Sequence, residues 1–221
     1  MAYPIIKGQN SSLALSSSSR VVTFTNYAVG DLLVISLTSE NNYSYVGNGW
    51  TSTLQVVNNS TIKSYLIYKI ADGDDVILLN GGKYSYFATT IGGSIGLVRA
   101  SQQNTATNVI SSPYLNTGSS KEYMWLLIAS TWGGRTDGPP IGYGNYNRVG
   151  NSYYTSICYN TNTSIDNQQA DWASSLSPTN VWAGWTLAIK PIPSKITIGV
   201  QNSKIASLTG NITKNNLIIK E

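Results

Sequence analysis

The chain has 221 residues, a formal net charge of +4, no histidine, one cysteine, and charged residues at only 11%. Histidine is the usual general base and the commonest metal ligand, so its absence, with only ten Asp and Glu residues, removes most acid–base and metal chemistry. The hydrophobic share of 41% is enough for a core, and the surface must be mainly amide and hydroxyl, which suits sugar contact or close packing between subunits without burying charge.

Strand signals follow one another along the chain. Arg20–Tyr27 is rich in Val, Thr and Phe and leads to the turn Gly30-Asp31. Leu32–Leu37 is almost continuously apolar, the pattern of a strand buried on both faces. Trp50–Val57 follows the turn Gly47-Asn48-Gly49. Ile62–Ile70 alternates, which places Leu66, Tyr68 and Ile70 on one face and Lys63 and Lys69 on the other. Asp72-Gly73-Asp74-Asp75 reads as a polar turn; it lacks the spaced ligand series of a calcium loop. Tyr84–Ile91 and Ile95–Ala100 flank Gly92-Gly93, a two-residue turn of hairpin type. Tyr123–Ser130, Tyr153–Tyr159 and Val181–Lys190 complete the set. Two turn-rich connections, about 102–122 and 133–151, read as long surface loops, and long loops are often functional. No segment carries the 3.6-residue apolar period of a helix.

The pattern predicts an all-β chain: a jelly-roll-like antiparallel β-sandwich over 1–192 with a short C-terminal β extension over 193–221. Pro191-Ile192-Pro193 punctuates the boundary. Beyond it, Ile196, Ile198 and Val200 alternate with polar residues, and Leu217, Ile218 and Ile219 form a second apolar stretch. So short a segment cannot bury a core of its own, so it must dock on its own domain or on a neighbouring chain, and its apolar ends favour an assembly element that adds strands to a neighbouring subunit.

Catalytic, cofactor and metal sites are not expected. Cys158 lies in an apolar-aromatic run and reads as a buried structural thiol. Glu40, Asp137 and Asp171 are the acids with aromatic neighbours, and nothing in their spacing pairs them as a glycosidase requires. The glycine-rich pieces match no phosphate-binding fingerprint. Lys and Arg are dispersed, so no nucleic-acid footprint is expected. No apolar run has signal-peptide character or approaches the ~18 residues of a membrane span, so neither secretion by a leader nor membrane insertion is expected. The aromatics are the remaining candidates. Trp50, Trp125, Trp172, Trp182 and Trp185 read as core. Trp132, Arg135, Asp137, Tyr143, Asn145, Tyr146 and Asn147 are the candidate surface contact: flat rings beside amides and charges suit sugar stacking or protein contact.

The ordered series Gly30-Asp31-Leu32-Leu33-Val34, Gly49-Trp50-Thr51, Tyr68-Lys69-Ile70-Ala71, Ser112-Pro113, Leu126-Leu127-Ile128, Ala170-Asp171-Trp172 and Ala183–Pro191 resembles the jelly-roll virion proteins of tailed bacteriophages, of tail, fibre or head-decoration type. The resemblance spans about 20–192 and excludes the segment after Pro193. It implies a non-enzymatic, homo-oligomeric particle component, made in the host cytoplasm, located in the virion and contacting other virion proteins. The alternative expectation is a carbohydrate- or host-receptor-binding module that reaches a surface glycan through the region 132–151.

Overall fold

The computed structural model describes residues 3–14, 19–57, 62–104, 109–118, 122–134, 136–162, 166–167, 171–174 and 181–193. The described part is all-β. Its strands, in chain order, are β1 (Ile5–Ala14), β2 (Arg20–Val22), β3 (Leu32–Ser39), β4 (Ser44–Val46), β5 (Thr51–Val57), β6 (Ile62–Ile70), β7 (Ile77–Asn80), β8 (Tyr84–Gly92), β9 (Ser94–Asn104), β10 (Leu115–Asn116), β11 (Tyr123–Trp132), β12 (Thr136–Gly138), β13 (Gly144–Gly150), β14 (Tyr153–Asn162), β15 (Asp166–Asn167), β16 (Ala173–Ser174) and β17 (Val181–Pro191).

Two five-stranded antiparallel sheets form the sandwich, in the orders β1-β8-β3-β6-β5 and β13-β14-β11-β17-β9. The first sheet uses only strands β1–β8, within residues 5–92, and the second only strands from β9 onward, within residues 94–191; these two stretches are the halves of the fold. This departs from a single interleaved jelly roll, in which successive strands would alternate between the two large sheets. Small sheets flank the large ones: β2-β7-β4 in the first half, and β10-β15 with β12-β16 in the second.

The two halves repeat one topology. Setting β1 against β9, β3 against β11, β5 against β13, β6 against β14 and β8 against β17 reproduces every pairing of the large sheet. The small sheets agree as well: β7 pairs with β2 and β4, and in the second half β15 and β16 divide that role. Between the layers, β1 meets β13, β8 meets β14, β3 meets β11, β6 meets β17 and β5 meets β9. Exchanging the halves leaves that stacking unchanged, as a pseudo-two-fold axis between β3 and β11 requires.

The apolar residues explain the arrangement. Strand β3 (LLVISLTS) is buried at every position because both its faces are covered. Leu33, Ile35 and Leu37 pack with Val22, Ile77 and Leu79 of the small sheet. Leu32 and Val34 pack with Met124, Leu126, Ile128, Trp185, Leu187 and Ile189 across the inter-sheet layer. Strand β11 does the same, sending Leu127 and Ala129 to its own small-sheet side with Trp172 and Trp182. A strand covered on both sides must be apolar at successive positions, which is why both central strands read as continuous runs. All five tryptophans expected in the core are buried.

At one end the inter-sheet layer turns polar. Trp185 Nε1 donates to Ser64 Oγ at 2.8 Å, and Ser64 Oγ meets Ser130 Oγ at 2.7 Å. Thr38 Oγ1 donates to Ser130 Oγ at 2.7 Å, Thr155 Oγ1 to Thr38 Oγ1 at 2.8 Å, and Ser85 Oγ meets Thr155 Oγ1 at 2.9 Å. With Leu32 set against Met124, the ladders carry Thr38 onto Ser130 and Ser64 onto Thr155. The middle of the hydroxyl chain, Ser64–Ser130–Thr38–Thr155, therefore reads the same from either half.

Several expectations are corrected. The Gly92-Gly93 pair is not a hairpin: β8 and β9 lie in different sheets, and the pair is the corner where the chain changes sheet. Gly93 has φ 71°, and a Cβ there would lie 2.5 Å from the Tyr3 carbonyl oxygen, so only glycine fits. The connection 133–151 is not one loop, since β12 and β13 lie within it, and 102–122 contains the end of β9 and all of β10. Lys63 and Lys69 are buried, because their face is covered by the small sheet. The strand at Arg20 ends at Val22, and β1, β4 and β7 have no counterpart in the sequence reading. The extension 193–221, with Ile196, Ile198, Val200, Leu217, Ile218 and Ile219, lies outside the described residues after Pro193.

Ser130→Ala leaves the Thr38 and Ser64 hydroxyls without their shared partner. It should cost about 1–3 kcal/mol, read as roughly 2–4 °C of melting temperature per kcal/mol in a chain of this size. Adding Thr38→Val should cost less than the sum of the single changes. Strict additivity in the double-mutant cycle would show that these hydroxyls act independently.

Candidate functional site

The structure divides the predicted contact residues among three environments. Tyr143 and Tyr146 point inward. Tyr143 is partly buried in two apolar clusters of the second half, and burial, followed by the nearby Cys158, pushes its hydroxyl well above the ordinary tyrosine value. The Tyr146 hydroxyl donates to the Thr136 carbonyl at 2.7 Å, and its ring lies edge-on to Trp172 at 6.4 Å. Asn145 and Asn147 are exposed on β13. Asn147 Nδ2 donates to Gln9 Oε1 at 2.9 Å, tying β13 to β1 across the sandwich edge. Asp137 sits on β12, 3.9 Å from Arg148. Arg135 lies outside the described residues. The period-two pattern Asn145-Tyr146-Asn147 already separates an inward ring from outward amides, a signal hidden while the segment is read as a loop.

Trp132 is the aromatic of the set that keeps the expected exposure, at 38%. It ends β11, where Tyr153 and Val181 oppose it across the two adjoining ladders. It continues the face of Ile128 and Ser130, so it stands at the open end of the inter-sheet layer, beyond the hydroxyl chain. Tyr153 lies beside it, 9% exposed, and its hydroxyl pKa is pushed up to about 12 by burial first, then by the charge and hydrogen bond of Glu40. Glu40 follows β3 and stands 4.0 Å from Lys83, just ahead of β8, and its backbone N–H donates to the Lys83 carbonyl. Trp132, Tyr153, Glu40 and Lys83 thus meet at one mouth, two from each half of the chain. The sequence reading missed Tyr153 and Lys83 as members, and placed Glu40 only among unpaired acids.

Two further acidic positions have local partners. Asp171 accepts from Ser111 Oγ at 2.5 Å. In the acidic turn, Lys69 occupies the place a cation would take: its Nζ lies 2.7 Å from Asp72 Oδ1, 3.3 Å from Asp75 Oδ1 and 2.5 Å from the Asp74 carbonyl. Burial opposes the Lys69 charge, but the hydrogen bonds and charges of Asp72 and Asp75 outweigh it and raise its pKa above 10.5. The Lys69 hydrogen bond holds Asp72 below 3.8. Cys158 is fully buried, and burial raises its thiol well above its ordinary value, which suppresses the nucleophilic thiolate. Among the described residues, no three His, Cys, Asp or Glu side chains converge on a metal position, and no helix is long and apolar enough to cross a membrane.

No family model, curated protein or solved structure gives a match with the chain.

Lys69→Met should destabilise the protein at neutral pH, because Asp75, whose side chain is 1% exposed, loses its counter-ion. The pH dependence has a fixed sign. The lowered Asp72 contributes stability above 3.8 that is lost as pH falls through its folded value, and the raised Lys69 contributes below 10.5 and is lost as pH rises through its folded value. The melting-temperature gap between wild type and variant should therefore be widest between those limits and narrow in acid. A gap that persists undiminished in acid would mean the lysine acts through packing alone.

Proposed function

We propose that this chain is a non-enzymatic structural component of a tailed-phage particle, a decoration or a tail/fibre protein, that works through oligomeric assembly and neutral surface contacts. The observation that carries this reading is where the phage-like sequence pieces fall. Leu32–Val34 and Leu126–Ile128 lie on the central strands of the two large sheets, Tyr68–Ala71 ends β6, and Ala183–Pro191 belongs to β17. These four pieces lie on strands of the two large sheets, which supports a resemblance carried by the frame of the fold. Each half, with strands passing between a large and a small sheet, reads as a compact jelly roll, and the chain as two such units stacked on their large sheets.

Assembly has physical support. Among the described residues, β1, β5, β9 and β13 are each paired on one side only, and an unpaired edge is a template for another strand. The extension after Pro193 would supply such a strand in trans. The low charge content favours lateral contact, because few ions need desolvating. A second reading, contact with a host-surface glycan, is favoured by the exposed Trp132.

Antibody raised against the purified chain should label intact virions at a defined place on the head or tail, and the chain should co-purify with infectious particles. Its absence from particles washed free of lysate would overturn the reading. Removing residues 194–221 should lower the oligomeric state in sedimentation while the melting temperature changes little. A large fall in melting temperature with an unchanged oligomer would place the extension on its own subunit.

A further inference from the structure

The ladders allow the two halves to be compared position by position, and the comparison separates packing from something else. Many equivalent core residues are alike, Thr38 with Ser130, Ser64 with Thr155, Leu66 with Ile157, Phe87 with Trp185, and Ile91 with Ile189, while Ser36 falls on Ile128 and Thr89 on Leu187, an exchange of hydroxyl for apolar side chain without any charge. One step beyond the hydroxyl chain the likeness ends. Glu40 stands where the second half has Trp132, Ile62 where it has Tyr153, and Lys83 where it has Val181. A shared frame accounts for the first group, since each half needs the same volumes and hydroxyls at the same layer. It does not account for a charge pair on one lip facing an aromatic pair on the other.

We infer that this mouth is a contact site for a neutral pyranose, in which the Trp132 ring is the stacking face and Glu40, Lys83 and the Tyr153 hydroxyl make the polar contacts. The inference deepens the glycan reading of the function and rests on it, while replacing the loop 132–151 with a composite site drawn from both halves. A pyranose has an apolar C–H face and a rim of hydroxyls. The first pairs with an indole face and the second with a carboxylate and an ammonium. The backbone that carries the indole is fixed, because Trp132 is laddered to Tyr153 on one side and Val181 on the other, so no main-chain ordering is needed on binding. Glu40 and Lys83 offset each other at 4.0 Å, which leaves no net charge at the lip to favour an acidic sugar. The Tyr153 hydroxyl already donates to Glu40, so its oxygen is left to accept from a sugar hydroxyl.

The full chain carrying 5-fluorotryptophan gives one fluorine resonance for each of its six tryptophans, with Trp132 assigned by its loss in Trp132→Phe. The probes are methyl glucoside, galactoside, mannoside and N-acetylglucosaminide with their short oligosaccharides, and sialic acid as the charged comparison, all at millimolar concentration. At least one neutral sugar should shift the Trp132 resonance saturably and leave the five buried tryptophans in place. Glu40→Gln and Lys83→Met should each weaken that sugar by about tenfold, the loss of one hydrogen bond to a charged group, and Trp132→Ala should abolish binding while the melting curve stays near wild type. The inference is overturned if no neutral sugar moves Trp132, if binding survives Trp132→Ala, or if only sialic acid binds. A Trp132 resonance that answers only to a purified virion protein, and to no sugar, also overturns it and makes the mouth a protein interface. The wild-type shift alone decides the matter if a variant fails to fold. The measurement uses the isolated chain, so its failure leaves virion incorporation untouched, and absence from virions leaves the sugar result standing.

Discussion

Everything else in the molecule depends on the apolar layer shared by the two halves. Neither large sheet covers its own inner face; Leu32, Val34, Leu66 and Phe87 are buried only because Met124, Leu126, Ile128 and Trp185 lie opposite. Burying one such side chain contributes about 1.5–3 kcal/mol, whereas one hydroxyl–hydroxyl bond contributes about 0.5–1.5 kcal/mol net. The apolar layer therefore supplies the stability of the interface. The hydroxyl chain at its end contributes less energy and more geometry, because its bonds form only when β3 and β11 are in register.

The repeated strand order has a consequence for function. A chain folded as two equivalent units has every surface in two related versions, and differences between them stand out against the common frame. Many core positions stay matched because packing is unforgiving of volume. The lip formed by Glu40, Lys83, Trp132 and Tyr153 is outside that constraint. Elsewhere, three cations meet acids: Lys69 within the acidic turn, Lys7 on Asp31 at 2.6 Å, and Arg148 near Asp137. The acidic turn thus has a cation supplied by the chain itself.

The candidate contact set shows where a linear reading loses its grip. Glycines, prolines and a tyrosine-asparagine alternation make 133–151 look like a loop, because turn residues and strand residues are mixed there at short spacing. The strands β12 and β13 exist because partners in β16 and β14 satisfy their backbones; β14 follows β13 directly as a hairpin, whereas β16 is remote from β12 in sequence. The same holds for Gly92-Gly93: the dipeptide permits a tight corner, but whether the next strand returns to the same sheet depends on what awaits it, and β17 does.

The amino-acid sequence by itself determined the all-β class, the central strands β3, β6, β8, β11, β14 and β17, the core tryptophans and the inert Cys158. These follow from local signals: continuous or alternating apolar runs bounded by turn residues, and a thiol set among apolar neighbours. Only the tertiary structure decided that each half builds its own large sheet, that Lys63 and Lys69 are covered, and that Tyr143 and Tyr146 face inward while Trp132 does not. It alone brought Glu40 and Lys83 to the lip that Trp132 and Tyr153 share. The reason is physical: a strand's hydrogen-bond partners and the cover on its second face come from distant parts of the chain, so pairing order and burial are properties of the assembled sheets and leave no mark at any one position.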